Sequence, residues 1–212
     1  PESSEGSGDR RRLVDLEGDV YFLVVRVIDV NGRTHPDDTT DMYHNTFGGN
    51  GDLVNMKSQI AACSANQLRL HAGYPNDTPA DQKDAIDAVT TDLGHPPGMM
   101  EANIEVDITT TDTFPVRNSI VNKVNEMFNG TFTLPGPFDH VIFNLENCYV
   151  GCGWAAYAFL GSWNQVYQGN YYAMAAVQIH EYGHNLGLYH SGEEGGGAYT
   201  DHTCLMGNPL YG

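Results

Sequence analysis

Apolar and polar positions along the 212-residue chain fall into an alternation of strand-like and helix-like segments. Val20 to Val30 (VYFLVVRVIDV) is a near-continuous β-branched and aromatic run, which predicts a central strand covered on both faces. A turn-rich stretch, NGRTHPDDTTD, follows. Asp52 to Ser64 then places Leu53, Met56, Ile60 and Cys63 at helical spacing behind Asp52 as N-cap. NQLRLHAG reads as a short strand. Residues 74–100 are proline-rich and polar, a surface excursion with one short helix around Ala80 to Leu93. Asn103 to Thr110 alternates apolar and polar, as a half-exposed strand does. Val116, Ile120, Val124 and Phe128 recur every fourth residue, predicting an amphipathic helix that ends near Asn129-Gly130.

Phe138 to Glu146 is a second buried-strand pattern, and Gly153 to Gly161 a third strand rich in small residues. From Asn170, read as an N-cap, a helix runs with two apolar stripes. Tyr172, Ala175, Ile179, Tyr182 and Leu186 form one; Ala173, Val177, His180 and His184 form the other. A helix apolar on two sides is central. The alternation predicts an α/β (α+β) fold, a mixed, mostly parallel sheet with packed helices. Residues 13–212 are expected to form a single domain behind a flexible polar and basic segment, residues 1–12.

Composition narrows the function classes. Ten basic against twenty-seven acidic residues give a formal charge of -17, which opposes nucleic-acid binding and suits a solvated surface. No run approaches the roughly 18 to 20 apolar residues of a membrane span. Four cysteines, Cys63, Cys148, Cys152 and Cys204, allow three pairings. The Cys148-x-x-x-Cys152 pair fits either a local disulfide or two free thiols. With the glycosylation sequons at Asn76 and Asn129, the cysteines favour an extracellular setting. The opening PESSEGSGDRRR admits two readings, a disordered tail or a pro-segment junction cut at a basic site.

The chemistry concentrates in HEYGHNLGLYH, His180 to His190. On a helix a step of four residues rotates about 400° and rises about 6 Å, so His180 and His184 project side by side and can bind one ion. Glu181, offset by about 100°, suits a metal-bound water better than direct ligation. In an unbroken helix His190 would lie about 15 Å from His180, out of reach. The helix must therefore end, and Gly187 is placed to end it by adopting φ > 0. His190 then supplies a third nitrogen. Three neutral imidazoles leave one zinc position open for water, the arrangement of a catalytic site. Glu181 then serves as general base and acid in peptide hydrolysis.

The string resembles H-E-x-x-H-x-x-G-x-x-H, the signature of metzincin zinc endopeptidases. Their second hallmark, a Met-turn beneath the ligands, is matched by YTDHTCLMG, which puts Met206 there. Within that group the chain is most similar to the gametolysin-type peptidases, through LVVRVIDVNG, NMKSQIAACS, FDHVIFNL, GWAAYAFLGSWNQVY, the histidine motif and YTDHTCLMG. Thr200 and Thr203 depart from the Gly and Ser that members often carry at those positions. The intact His180 argues for a three-histidine site, since some relatives begin the motif with Gln.

The resemblance implies a metzincin-like twisted sheet with one catalytic zinc (Zn2+) in a cleft above the Met-turn. Set against the family, the ending, with only six residues after Met206, fits either a short or truncated C-terminal lobe or one piece of a nicked protein whose partner is a separate C-terminal fragment of the same protein. Tyr211 lies five residues past Met206 and is not assigned a zinc-facing role. By the same analogy GWAAYAF is the edge strand that pairs with an extended polypeptide substrate, and Ser191 to Asp201 walls the cleft. His35, His44, His71, His95, His140 and His202 are read as surface or hydrogen-bonded histidines. The expected function is a secreted zinc endopeptidase acting on extracellular or cell-wall glycoproteins, with no nucleic-acid or membrane partner. Its rival is a catalytically silent relative that keeps zinc as a binding module; retention of Glu181 favours the enzyme.

Overall fold

The computed structural model describes residues 17–147 and 153–207. The expected N-terminal segment 1–12, Cys148, Cys152 and Tyr211 lie outside the described residues. Strand β1 (Gly18–Ile28) is central, as its apolar run predicts. Its first half pairs with β2 (Leu68–Ala72) and its second half, along the same edge, with β3 (Met99–Asn103). Its other edge pairs with β4 (His140–Leu145), and β4 in turn with β6 (Asn164–Gln168). All these pairings are parallel. Only β5 (Ala156–Ala158) runs antiparallel, against β6 at the sheet edge.

The period-2 alternation of the central strand divides the core between two faces. Phe22 and Val24 meet α1 (Thr39–Phe47), α2 (Met56–Cys63) and α5 (Ala175–Asn185) through Met42, Phe47, Met56, Ile60, Val177 and Tyr182. Leu23, Val25 and Val27 meet α3 (Ala80–Asp87) and α4 (Thr113–Met127). The four-residue stripe of α4, Val116, Ile120, Val124 and then Phe128, is buried there. Removing such side chains from water stabilises the layer by roughly 1.5–3 kcal/mol each. The result is a mixed α/β fold with a mostly parallel sheet and five α-helices among the described residues. None of these helices is long and apolar enough to cross a membrane.

Several boundaries differ from the sequence expectation; the strand read over Gly153 to Gly161 is only Ala156–Ala158, and the helix read to Leu93 ends at Asp87. Helix α1 occupies the end of the stretch read as turns, because the Asp38 carboxylate accepts from Thr40 N (2.8 Å) and Asp41 N (3.0 Å) and so caps a helix. Helix α2 starts at Met56 behind a capping box of Asn55 and Ser58. Asp52 instead accepts from Val54 N in its own turn, and Leu53 is 84% exposed. Residues 104–110 form turns closed by Asp107, which accepts from Thr109 N and Oγ1; the strand lies just before them, at Met99–Asn103. Asn170 is inside a 3-10 turn, Gly169–Ala173, and α5 begins only at Ala175.

Strand β6 had no expectation at all. Its residues Asn164, Gln165 and Gln168 are polar yet buried, so no apolar run marks it. Each has a partner: Arg117 Nη2 donates to Asn164 Oδ1 (3.0 Å), Gln165 Nε2 to Asn185 Oδ1 (2.9 Å), and Gln168 Nε2 to Trp154 O. Burial of these amides is offset by the hydrogen bonds they make inside the protein, although Asn164 Nδ2 has no partner among the described residues. The Gln165–Asn185 bond ties the sheet to the helix that carries the histidine motif.

Candidate metal centre

Helix α5 follows β6 through the 3-10 turn and packs beside the edge strand β5. Its C-terminus is closed by a Schellman arrangement. Leu188 N donates to Gly183 O (2.9 Å) and Gly187 N to His184 O (2.8 Å), with Gly187 at φ 89°. A side chain at 187 would be strained in that conformation. The chain thus leaves the helix axis and returns, bringing the ring of His190 to 4.5 Å from that of His184 and 5.3 Å from that of His180. One ligand nitrogen from each of the three lies within 4.8 Å of the others.

Backbone carbonyls set the protonation of the first two rings. Leu205 O accepts from His180 Nδ1 (2.5 Å) and Leu188 O from His184 Nδ1 (2.8 Å). A neutral imidazole whose Nδ1 carries the proton presents a lone pair at Nε2, the atom a metal takes. His184 Nε2 and His190 Nε2 face each other at 2.9 Å. That is a few tenths of an ångström less than the roughly 3.3 Å that separates two nitrogens of a tetrahedral zinc site. Burial, opposed at His180 by its Leu205 carbonyl bond, holds His180 and His190 below the ordinary histidine range; the neighbouring histidines act in the same direction as burial. Low basicity keeps the His180 and His190 rings in the neutral, ligating form near pH 7.

Glu181 is almost fully buried on the same helix. Burial pushes its carboxyl up to about 8, against a hydrogen bond from the backbone N–H of Ala158 on β5. Its Oε2 is buried with no partner among the described residues. A buried carboxyl oxygen left unsatisfied costs free energy, and a cation held by the three inward nitrogens would favour the ionised carboxylate beside it, so the donor set fits a divalent cation and a water. Neutral imidazoles are a donor set that zinc takes readily.

Met206 is buried against the helix, and a Cβ built on Gly183 would overlap its Sδ. The turn that delivers it is bonded to the histidine loop: Ser191 N donates to Met206 O (2.8 Å) and Tyr199 N to Ser191 O (3.1 Å). Thr203 donates through N and Oγ1 to Asp201 Oδ1 (2.9 and 2.7 Å), which holds the Asp201 carboxyl below the usual carboxylate range. Thr200 Oγ1 accepts from Glu193 N and donates to Gly197 O, both at 2.8 Å, closing the glycine-rich segment beside the site. Both positions at which the chain departs from the gametolysin pattern thus carry hydroxyls bonded to their own loops.

Of the remaining histidines, His35 and His140 are buried, not superficial. His35 Nε2 is 2.9 Å from Gly169 O, and His140 is packed between the rings of Phe22 and Tyr182. His71 pairs with Asp19, His95 with Thr39 Oγ1, His44 sits beside Gly49, and His202 is exposed. Cys63 and Cys204 are free thiols, so the expected disulfides find no support among the described residues. Sequence reasoning missed Gly183, the carbonyls of Leu188 and Leu205, the Ala158 N–H and Tyr199. For Gly183 a signal existed, a glycine inside a helix between two ligands, since such a residue marks a close approach.

A family model described as gametolysin peptidase M11 matches residues 39–211. No curated protein matches the chain. A solved chain from a structure of a chaperone-substrate complex aligns at 13% identity and a TM-score of 0.34, covering 84% of this chain and 25% of its own length. The chain spans about a quarter of that protein's length.

Proposed function

The chain belongs to the gametolysin peptidase family, and from that premise we propose that it is a secreted zinc-dependent endopeptidase of extracellular or cell-wall glycoproteins. His180, His184 and His190 hold the metal through Nε2. The observation that carries the reading is the convergence of these three nitrogens, beside a buried carboxylate oxygen with no partner among the described residues. Zinc, when bound, supplies the positive charge that acidifies a water and polarises a carbonyl.

The protein's own groups do the rest. Glu181 Oε2 takes the proton from the attacking water and delivers it to the leaving amide nitrogen. The backbone of Ala158 on β5 favours the charged form of the Glu181 carboxyl. Among the described residues strand β5 pairs with β6 on one edge, and its other edge would take an extended polypeptide. Ala156 and Ala158 keep that strand slim where a substrate backbone must approach. Gly187 provides the return that brings in His190, and Met206 supports the helix from below.

Metal analysis coupled to a protease assay tests the reading. One zinc per chain and chelator-sensitive cleavage that is lost in Glu181→Ala are expected. A folded sample that takes up no zinc would overturn it. Zinc without cleavage would instead favour a catalytically silent, zinc-binding relative.

A further inference from the structure

His180 and His184 are aimed by backbone carbonyls, whereas among the described residues no carbonyl takes the Nδ1 proton of His190. His190 is also the only one of the three that is not buried, and it stands on the return loop outside the helix. What lies against it is Tyr199. The two ring centroids are 3.8 Å apart at a tilt of 39°, and the Tyr199 ring lies nearly parallel to that of His180, at 6.3 Å and 14°.

Tyr199 holds this place at φ 70°, in the left-handed region that a bulky side chain disfavours. Strain of that kind persists where surrounding structure over-determines it, and it clusters at functional sites. The determinants are visible. Tyr199 N is tied to Ser191 O, the residue after His190, and Ser191 N to Met206 O. The ligand, the tyrosine and the Met-turn are thereby joined through two consecutive hydrogen bonds. With 47% of its surface exposed, the tyrosine contributes less as core than as a flat face for the imidazole.

We propose that Tyr199 is a positioning residue for the metal centre, fixing the His190 ring by stacking, in the role that carbonyls play for the other two ligands. A ligand ring that rotates freely must be ordered when metal binds, and pre-ordering it raises affinity. The proposal rests on the zinc reading above. Its consequence is that the ring of Tyr199 is what sets the orientation of the His190 ligand.

The test compares the full chain with its Tyr199→Phe, Tyr199→Ala and Tyr199→Gly variants. Zinc affinity is read by chelator competition, and site geometry by the visible spectrum of the cobalt-loaded protein. Circular dichroism of the metal-free forms reports folding. Ala and Gly are expected to lose on the order of 10- to 100-fold in zinc affinity and to change the cobalt spectrum. Phe should stay within about threefold with an unchanged spectrum, because the stacking face is kept. Glycine relieves the positive φ, so it remains informative if the alanine variant does not fold. Wild-type affinity in a folded Ala or Gly variant would overturn the proposal, as would a Phe variant that binds as weakly as Ala. A wild-type chain that binds no zinc would sink the underlying reading, which is a different result.

Discussion

Met206 and Gly183 are in direct contact across the Met-turn and the ligand helix, and the contact leaves no room for a β-carbon on residue 183. Glycine inside a helix is intrinsically unfavourable by about 1 kcal/mol relative to alanine. Its presence midway between Glu181 and Asn185 is therefore explained by the methionine and not by the helix.

The contact reverses the usual sign of a helix substitution. Gly183→Ala ought to stabilise an exposed helix, but here the overlap with Met206 Sδ should cost about 1–3 kcal/mol, as overpacking does. Denaturant unfolding of the metal-free protein measures it. In the Gly183→Ala/Met206→Ala double variant the overlap is gone, so the loss should fall well short of the sum of the single changes. Additive losses would show that the methionine is not what the glycine makes room for.

His140 gives the fold an acid-sensitive element away from the ligands. It lies between the ring of Phe22 at 5.1 Å and that of Tyr182 at 5.1 Å. Burial pushes its pKa down to about 4, while the Asn185 side chain opposes the shift. The folded protein keeps this ring neutral, and the unfolded chain protonates near 6.5. Between those values the unfolded state binds more protons, so stability is complete above about pH 6.5 and is lost as pH falls toward 4. The span corresponds to roughly 3 kcal/mol. His140→Phe should flatten that limb of the stability profile. An equally steep limb in the variant would assign the acid sensitivity to other groups.

Legibility in the sequence followed chemistry. The central strand, β4 and α4 were readable because their buried positions are apolar and periodic. Strand β6 was not, because Asn164, Gln165 and Gln168 are buried through hydrogen bonds to distant residues. Helix α1 was hidden by Asp38, since the same side chain that caps a helix also marks a turn. At the site, the His180–His184 pair was readable from helical spacing, and His190 only by way of the break that Gly187 allows; the structure brings the three rings together. Tyr199 and the carbonyls of Leu188 and Leu205 were not, because their roles arise only when the return loop and the Met-turn close on the helix.

Asn185 joins these layers and offers the severest test of them. It follows His184 directly and is fully buried. Its Nδ2 donates to Phe159 O (3.2 Å) and Asn164 O (3.1 Å), and its Oδ1 accepts from Gln165 Nε2 (2.9 Å). The bond to Phe159 reaches the turn after β5, where Gly161 N also donates to His184 O (2.9 Å). Asparagine thus ties the ligand helix to the edge strand. Asn185→Ala should destabilise by about 2–4 kcal/mol, leaving two carbonyls and an amide unpaired in the interior. Asn185→Asp preserves the shape but sets a carboxyl oxygen against both carbonyls, so it should cost at least as much as alanine despite being the smaller change. Thermal and denaturant unfolding of the metal-free variants measure both. An aspartate variant nearly as stable as wild type would show that the amide donors do not hold helix and edge strand together.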